Sequence, residues 1–355
     1  MSTQALRTFD RLVPNNSILT LSGYGIRIVV EGGHVVIEDG VGNMRTGVSL
    51  ACIRRVVVLG HSGIVSLEAL RWLGDIGAVF VNIDCDGNLI AAIAPSGLND
   101  ARLRRAQAMA SVNGVGLEIA RDLIKRKLAG QLQIVERLRD RAASTAIRSV
   151  IEQIGKPRSI DQLRMLESQA AVDYWGAWRD LDVVFVQRDF DRVPEHWRSF
   201  GVRRSLITGN PRKATNPANA ILNYLYSILE AEARIAVLKI GLDPGIGVMH
   251  ADLRARDSLV CDMMEPLRPK VDAHVLNLLE QRALKKSDFF ETRNGVCRLM
   301  PTITDGLSQA ADRWSKELGS VIELVATSLQ ANVPTLLTES KRAARWDRYR
   351  TRNPG

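Results

Sequence analysis

Along the first ninety residues, apolar side chains recur at alternate positions or in short unbroken runs. ILTLSG, IRIVVE and HVVIED, between residues 18 and 39, are separated by Gly23, Gly25 and the Gly32-Gly33 pair. Such short alternating segments predict strands, and a Gly-Gly step between two of them predicts a hairpin turn. Residues 53–59 predict another strand, ending at Gly60. Ser66 is placed to cap LEALRWLGD, whose apolar spacing near 3.6 predicts one short helix. AVFVNID (78–84) and LIAAIA (89–94) predict two more strands joined across Asp86-Gly87.

The period then changes. PSGLND (95–100) reads as a linker, with Asn99 or Asp100 available to cap the helix that starts there. Residues 101–112, 115–139 and 141–154 are helical in period and rich in Arg and Lys, and Gly155-Lys156-Pro157 ends the run. Ser159 precedes a strong amphipathic helix, IDQLRMLESQAAVDYWGAWRDL. Residues 187–213 are polar and irregular, a length that usually marks a functional loop. ANAILNYLYSILEAEARIAVLKIG (218–241) predicts a long, largely apolar and therefore central helix. Helical spacing continues over 258–283 and 305–330, with a hairpin expected around Arg293-Asn294-Gly295. The fold class expected is α+β. A small β-sandwich-like N-terminal domain (1–93) and a linker (94–100) precede a larger all-α C-terminal domain (101–335) and a basic tail (336–355).

Composition narrows the setting. An apolar fraction of 46% with 25% charged residues is that of a globular protein. No apolar run is long enough to span a bilayer, and the N-terminus has no signal-like apolar core. The four cysteines are scattered without a CxxC pair, which fits a reducing cytoplasm. The net charge of +9 suggests an anionic partner, and its distribution sharpens the point. Residues 1–100 hold seven Arg, no Lys and nine Asp or Glu, a balance of −2, so the remainder carries +11. Basic residues can also be no more than a solvated surface.

The chemistry concentrates in residues 241–272, GLDPGIGVMHADLRARDSLVCDMMEPLRPKVD. Asp-Pro with Gly245 and Gly247 predicts sharp bends. Of the five histidines, only His250 lies between a glycine-rich turn and an acid pair. Asp262 and Glu265 are three apart in an apolar run, so they share one buried helix face, where a carboxylate needs a compensating cation or donors. Pro266 should kink that helix. Glu167 lies on a similar face with Leu163, Ala170, Ala171 and Tyr174. Glu167, His250 and Glu265 together would suit Mg²⁺ or Mn²⁺ at a phosphodiester, with the imidazole favouring Mn²⁺. The same residues could instead be a structural histidine and internal ion pairs, Glu265 with Arg268 and Glu167 with Arg164. Walker-loop, dinucleotide-binding and HExxH patterns are absent from the sequence.

GLDPGIGVMH followed by RDSLVCDMMEPLRPKVD, ESQAAVDYW, NPANAILNYLYSIL and NDARLRRAQ together resemble the CRISPR-associated spacer-acquisition integrase family, over nearly the whole chain. The resemblance implies that Glu167, His250 and Glu265 are metal ligands and Asp262 a supporting acid. It implies a homodimer formed through the β-domain, a small dimeric partner protein, and joining of DNA 3′-hydroxyl ends into a repeat array without ATP. Near the implied metal, Arg256 and Ser258 are candidate phosphate contacts, as are Arg212 and Lys213 before the central helix. Ser168 stands where the family often has Gly, and Asn216 where it commonly has Asp. Two other readings remain: a non-catalytic DNA-binding scaffold, and a transposon-encoded relative, which would be expected to carry an added DNA-binding domain.

Overall fold

The structure is a computed structural model. It describes residues 18–331 except 32–33, 39–43, 47–52, 54, 61, 85–87, 94–99, 204–212, 251–255 and 309–310. The Gly32-Gly33 and Asp86-Gly87 turns, most of the linker, Arg212 and the basic tail therefore lie outside the described residues.

The N-terminal part runs β1 (Ile18–Ser22), β2 (Ile26–Glu31), β3 (His34–Glu38), β4 (Met44–Thr46), β5 (Arg55–Leu59), β6 (Gly63–Val65), α1 (Leu67–Asp75), β7 (Val79–Ile83) and β8 (Leu89–Ile93). One sheet has the order β1-β5-β7-β8, parallel except for β8. The other has the order β4-β3-β2-β6, antiparallel except for β6 against β2. Alternation explains how they pack. Leu19, Leu21, Val56, Val58 and Phe80 meet Ile26, Ile28, Val35 and Ile37 in one core, closed by Ala69 and Leu73 of α1. Val57, Val79, Val81 and Ile83 point the other way and join the core of the helical part. The first sheet is thus covered on both faces, which is why β5 and β7 read as nearly continuous apolar runs.

The helices are α2 (Ala101–Met109), α3 (Val115–Arg137), α4 (Arg141–Gln153), α5 (Ile160–Trp178), α6 (Pro217–Ile240), α7 (Ser258–Met264) and α8 (Arg268–Gln281). A hairpin of β9 (Phe289–Glu291) and β10 (Cys297–Leu299) comes next, then α9 (Pro301–Ser308) and α10 (Ala311–Ala331). Helix starts are set by side chains that accept otherwise orphaned N–H groups. The Ser66 hydroxyl accepts from Ala69 N–H at 3.1 Å, and Asn216 Oδ1 from Asn219 N–H at 2.9 Å. The Asn216 amide also donates to Phe200 O at 2.7 Å, which an aspartate there could not do. Buried along most of its length, α6 packs against α7, α8, α10 and β8. Its Glu232 pairs with Arg55 of β5 at 2.5 Å, a charged link between sheet and helices. Between α7 and α8, Pro266 sits in a single 3₁₀ turn, Glu265–Leu267. Gly130 of α3 admits Pro269 at the start of α8; a Cβ on Gly130 would lie 2.7 Å from the proline Cβ. That close approach brings the middle of α3 to the acidic turn.

Candidate metal and active site

The site begins where α6 ends, at Gly241 with φ of 89°, a left-handed C-cap. Asp243 Oδ1 accepts from Gly245 N–H at 2.8 Å, which closes the expected turn. Gln107 of α2, itself buried, clamps this loop. Its amide donates to Asp243 O at 2.7 Å and Ile246 O at 2.8 Å, and its oxygen accepts from Asp243 N–H at 2.9 Å. Arg104, one turn earlier, donates to Gly241 O at 3.1 Å. The loop then lies flat on the start of α7. A Cβ on Gly247 would lie 2.6 Å from His250 O and 2.8 Å from the Ser258 Cβ, so this position has no room for a side chain.

Asp262, fully buried on α7, holds the end of the loop. Its Oδ2 accepts from Val248 N–H at 2.7 Å and Met249 N–H at 3.0 Å, and its Oδ1 from His250 N–H at 3.0 Å. His250 Nδ1 lies 2.5 Å from the same Oδ1. A carboxylate engaged in this way can only accept, so Nδ1 carries a proton and Nε2 is the nitrogen that the neutral ring can offer to a ligand. A carboxylate that fixes the imidazole tautomer is the arrangement found behind metal-ligating histidines.

Glu265, at the 3₁₀ turn, and Glu167, on α5, converge on one ammonium. Lys127 Nζ of α3 lies 2.5 Å from Glu167 Oε1 and 2.6 Å from Glu265 Oε2. Arg268 Nε donates to Glu265 Oε1 at 2.9 Å. Burial alone would push the Glu265 pKa up; Lys127 and Arg268, helped by nearby His250, reverse this and hold it at about 2. Burial likewise disfavours the Lys127 ammonium, but Glu265 and Glu167 outweigh it and keep its pKa above the ordinary lysine value. Both partners are therefore charged at neutral pH.

Behind this cluster, Asp272 is buried and accepts from Tyr174 OH at 2.7 Å and Tyr226 OH at 2.5 Å. Burial raises its pKa to about 6 despite these bonds. The Arg268 guanidinium lies over the Tyr226 ring, 4.9 Å from its centroid, so the two clusters share a wall.

The structure thus brings Glu167 and Glu265 together and ties His250 to Asp262. The ion pair expected between Glu265 and Arg268 is present. Glu167 does not pair with Arg164, whose nearest acid is Asp161 at 3.9 Å, but with Lys127 from another helix. Lys213 is exposed just before α6, Arg256 is partly exposed before α7, and Ser258 is fully buried at the start of α7. Sequence reasoning does not single out Lys127 or Gln107. A signal for Lys127 exists: it falls on the stripe of Leu123, Ile124, Leu128 and Gln131 that α3 buries. Gln107, in a strongly polar helix, carries no comparable signal.

Among the described residues, no three His, Cys, Asp or Glu side chains are drawn close enough to form a metal cluster. The donor set nevertheless fits a divalent cation. Two carboxylates already converge on one positive charge, and the nearby imidazole has its tautomer fixed. Glu265 Oε2 is buried without an aligned hydrogen bond, its contact being the ion pair to Lys127. One nitrogen with carboxylate oxygens is a set that Mg²⁺ or Mn²⁺ accepts.

A two-sheet N-terminal layer is set on a helical body, with an acid–histidine cluster between loop and helices. The chain belongs to the family described as CRISPR associated protein Cas1, whose profile matches residues 19–312. A CRISPR-associated endonuclease Cas1 from Archaeoglobus fulgidus is 32% identical over 302 residues, spanning 79% of this chain and 83% of that protein. A casposase solved with its integration product shares the fold at a TM-score of 0.70 and 23% identity, over 92% of this chain and 97% of its own. The fold also recurs in a Cas6-RT-Cas1–Cas2 complex at a TM-score of 0.64 and 16% identity, over 91% of this chain and 37% of that one. No helix among the described residues is long and apolar enough to cross a membrane.

Proposed function

We propose that the protein is a metal-dependent DNA endonuclease and integrase of CRISPR adaptation, joining the 3′-hydroxyl ends of short DNA fragments into the repeat array. The observation that carries this reading is the convergence of Glu167 and Glu265 on one cation position beside a histidine whose free nitrogen is fixed by Asp262. Glu167, His250 and Glu265 would hold Mg²⁺ or Mn²⁺. Such a cation supplies activation of the attacking hydroxyl and neutralisation of charge on the phosphate. The protein's own groups do the rest. Asp262 keeps the His250 proton on Nδ1 and so keeps Nε2 available. Arg268 and Lys127 keep Glu265 ionised well below neutral pH. Gln107 and Arg104 fix the loop that carries the histidine. In strand joining, the 3′-oxygen forms a new bond to phosphorus as the old P–O bond breaks. The number of phosphodiester bonds is unchanged, and no nucleotide is consumed.

The DNA lies along the basic part of the chain, with Lys213 and Arg256 among its phosphate contacts. Residues 1–93 serve as the dimerisation domain, and a small dimeric partner of the same system bridges two dimers. The curated relative named as an endonuclease, the casposase bound to integration product and the complex containing Cas2 support this reading.

The test is strand joining of a 3′-hydroxyl duplex into a supercoiled repeat-bearing plasmid, with the partner protein and Mn²⁺. Joining should vanish with EDTA and with His250→Ala. Joining by His250→Ala at the wild-type rate would remove the catalytic assignment. In that case Lys127 and Arg268 would be the permanent neutralisers of a non-catalytic DNA-binding scaffold.

A further inference from the structure

The ion-pair geometry points to a second role for Lys127. We infer that its ammonium occupies the cation position in the metal-free protein and must leave the Glu167–Glu265 pair when a divalent cation binds, so that Lys127 sets the metal affinity. This rests on the reading of Glu167 and Glu265 as ligands.

Three observations support it. The ammonium lies 2.5 and 2.6 Å from one oxygen of each acid, so a single positive charge is shared by Glu167 Oε1 and Glu265 Oε2. The lysine is almost wholly buried, its side chain 10% exposed, so its charge is not dispersed in water. It also has no freedom to avoid the site by chance. α3 buries the positions on either side of it, Leu123, Ile124, Leu128 and Gln131, and Gly130 draws α3 against Pro269. A positive charge built into a place that also suits a metal has two consequences. It keeps two buried carboxylates folded together before metal arrives, and it opposes the metal by occupying the same oxygens. Arg268 differs in kind. It binds the outer oxygen of Glu265 and stacks on Tyr226, so it can stay in place when a cation enters. Lys127 is therefore a positioning residue that acts through the two acids, and its removal should tighten metal binding while weakening the metal-free fold.

The experiment is calorimetric titration of Mn²⁺ into metal-free wild type, Lys127→Gln and Lys127→Arg, with thermal unfolding of each protein in EDTA. Gln keeps a donor of similar reach and loses the charge; Arg keeps the charge. Lys127→Gln should bind Mn²⁺ on the order of tenfold more tightly, the factor that about 1.4 kcal/mol of lost competition produces. It should also unfold at a lower temperature in EDTA, while Lys127→Arg stays near wild type in both. Equal or weaker Mn²⁺ binding by Lys127→Gln overturns the inference and leaves the metal site standing. No Mn²⁺ binding by the wild type removes the metal reading and the inference with it. Should Lys127→Gln fail to fold, amine labelling of the wild type decides. Mn²⁺ should speed modification of Lys127 by an N-hydroxysuccinimide ester relative to exposed Lys156, and an unchanged or slower rate overturns the inference.

Discussion

Replacing Asp262 with asparagine changes one atom and should disable the site. The wild-type carboxylate accepts four contacts, two at each oxygen: Val248 and Met249 N–H at Oδ2, His250 N–H and Nδ1–H at Oδ1. Asparagine has one oxygen, so whichever way the amide is turned, two of the four donors face an NH₂ group. Leaving a buried donor unmet costs about 1–3 kcal/mol. Two of them, with the backbone free to relax a little, give an expected stability loss of about 2–5 kcal/mol. If the amide settles with its NH₂ toward the histidine, Nδ1 must become the acceptor, the proton moves to Nε2, and the ring can no longer ligate. If it settles the other way, the ring keeps its acceptor, but the Val248–Met249 turn that leads into His250 loses its anchor. Substitutions at such orienting residues cost about 10–100-fold in metal affinity or activity. The assay is strand joining at saturating Mn²⁺ beside urea denaturation of the metal-free protein. Asp262→Asn that joins DNA at the wild-type rate with unchanged stability refutes the argument that this carboxylate sets the tautomer and the loop.

The same geometry has other consequences. Gly247→Ala places a methyl 2.6 Å from a backbone oxygen, and the loop must move; we expect about 1–3 kcal/mol of lost stability by thermal unfolding and loss of strand joining with it. Asp272 has a folded pKa of about 6, above its ordinary carboxylate value, so its contribution favours the fold below about pH 4 and is lost as pH rises through 6. That amounts to about 3 kcal/mol between the two limits. Urea denaturation should therefore show a pH-dependent difference between wild type and Asp272→Asn in that window, and parallel curves would contradict the assignment. Glu265 has the opposite sign, its pKa held at about 2, so its stabilisation is lost only as pH falls from about 4.5 towards 2. Glu265→Gln should flatten wild-type acid unfolding in that lower range.

Local signals carry well into three dimensions where the physics is local. Ser66 caps α1, Arg293–Gly295 turns the β9–β10 hairpin, and Pro266 interrupts the helix at the acidic turn, because each depends on a few adjacent residues. Pairing partners are less legible. β1 lies parallel to β5, far along the chain, rather than beside β2, and nothing in either strand's pattern states that choice. The site shows the same division. Glu265 and Arg268 are one helical turn apart, and their pair is foreseeable. Glu167 has a local arginine available and uses a lysine forty residues away, because α3 and α5 pack with Lys127 between them. Burial periodicity can mark a charged residue as needing a partner; only the packing of helices names the partner. The loop clamp by Gln107 is further still from sequence, since an amide that satisfies three backbone groups has no period or spacing to betray it.

The most direct measurement is the position of Mn²⁺ by anomalous scattering in crystals of the wild-type protein. A metal-dependent integrase places one strong peak within bonding distance of Glu167, Glu265 and His250 Nε2. A Mn²⁺-soaked crystal with no peak there, and with Lys127 still paired to both acids, would contradict the assignment of these residues as a metal site.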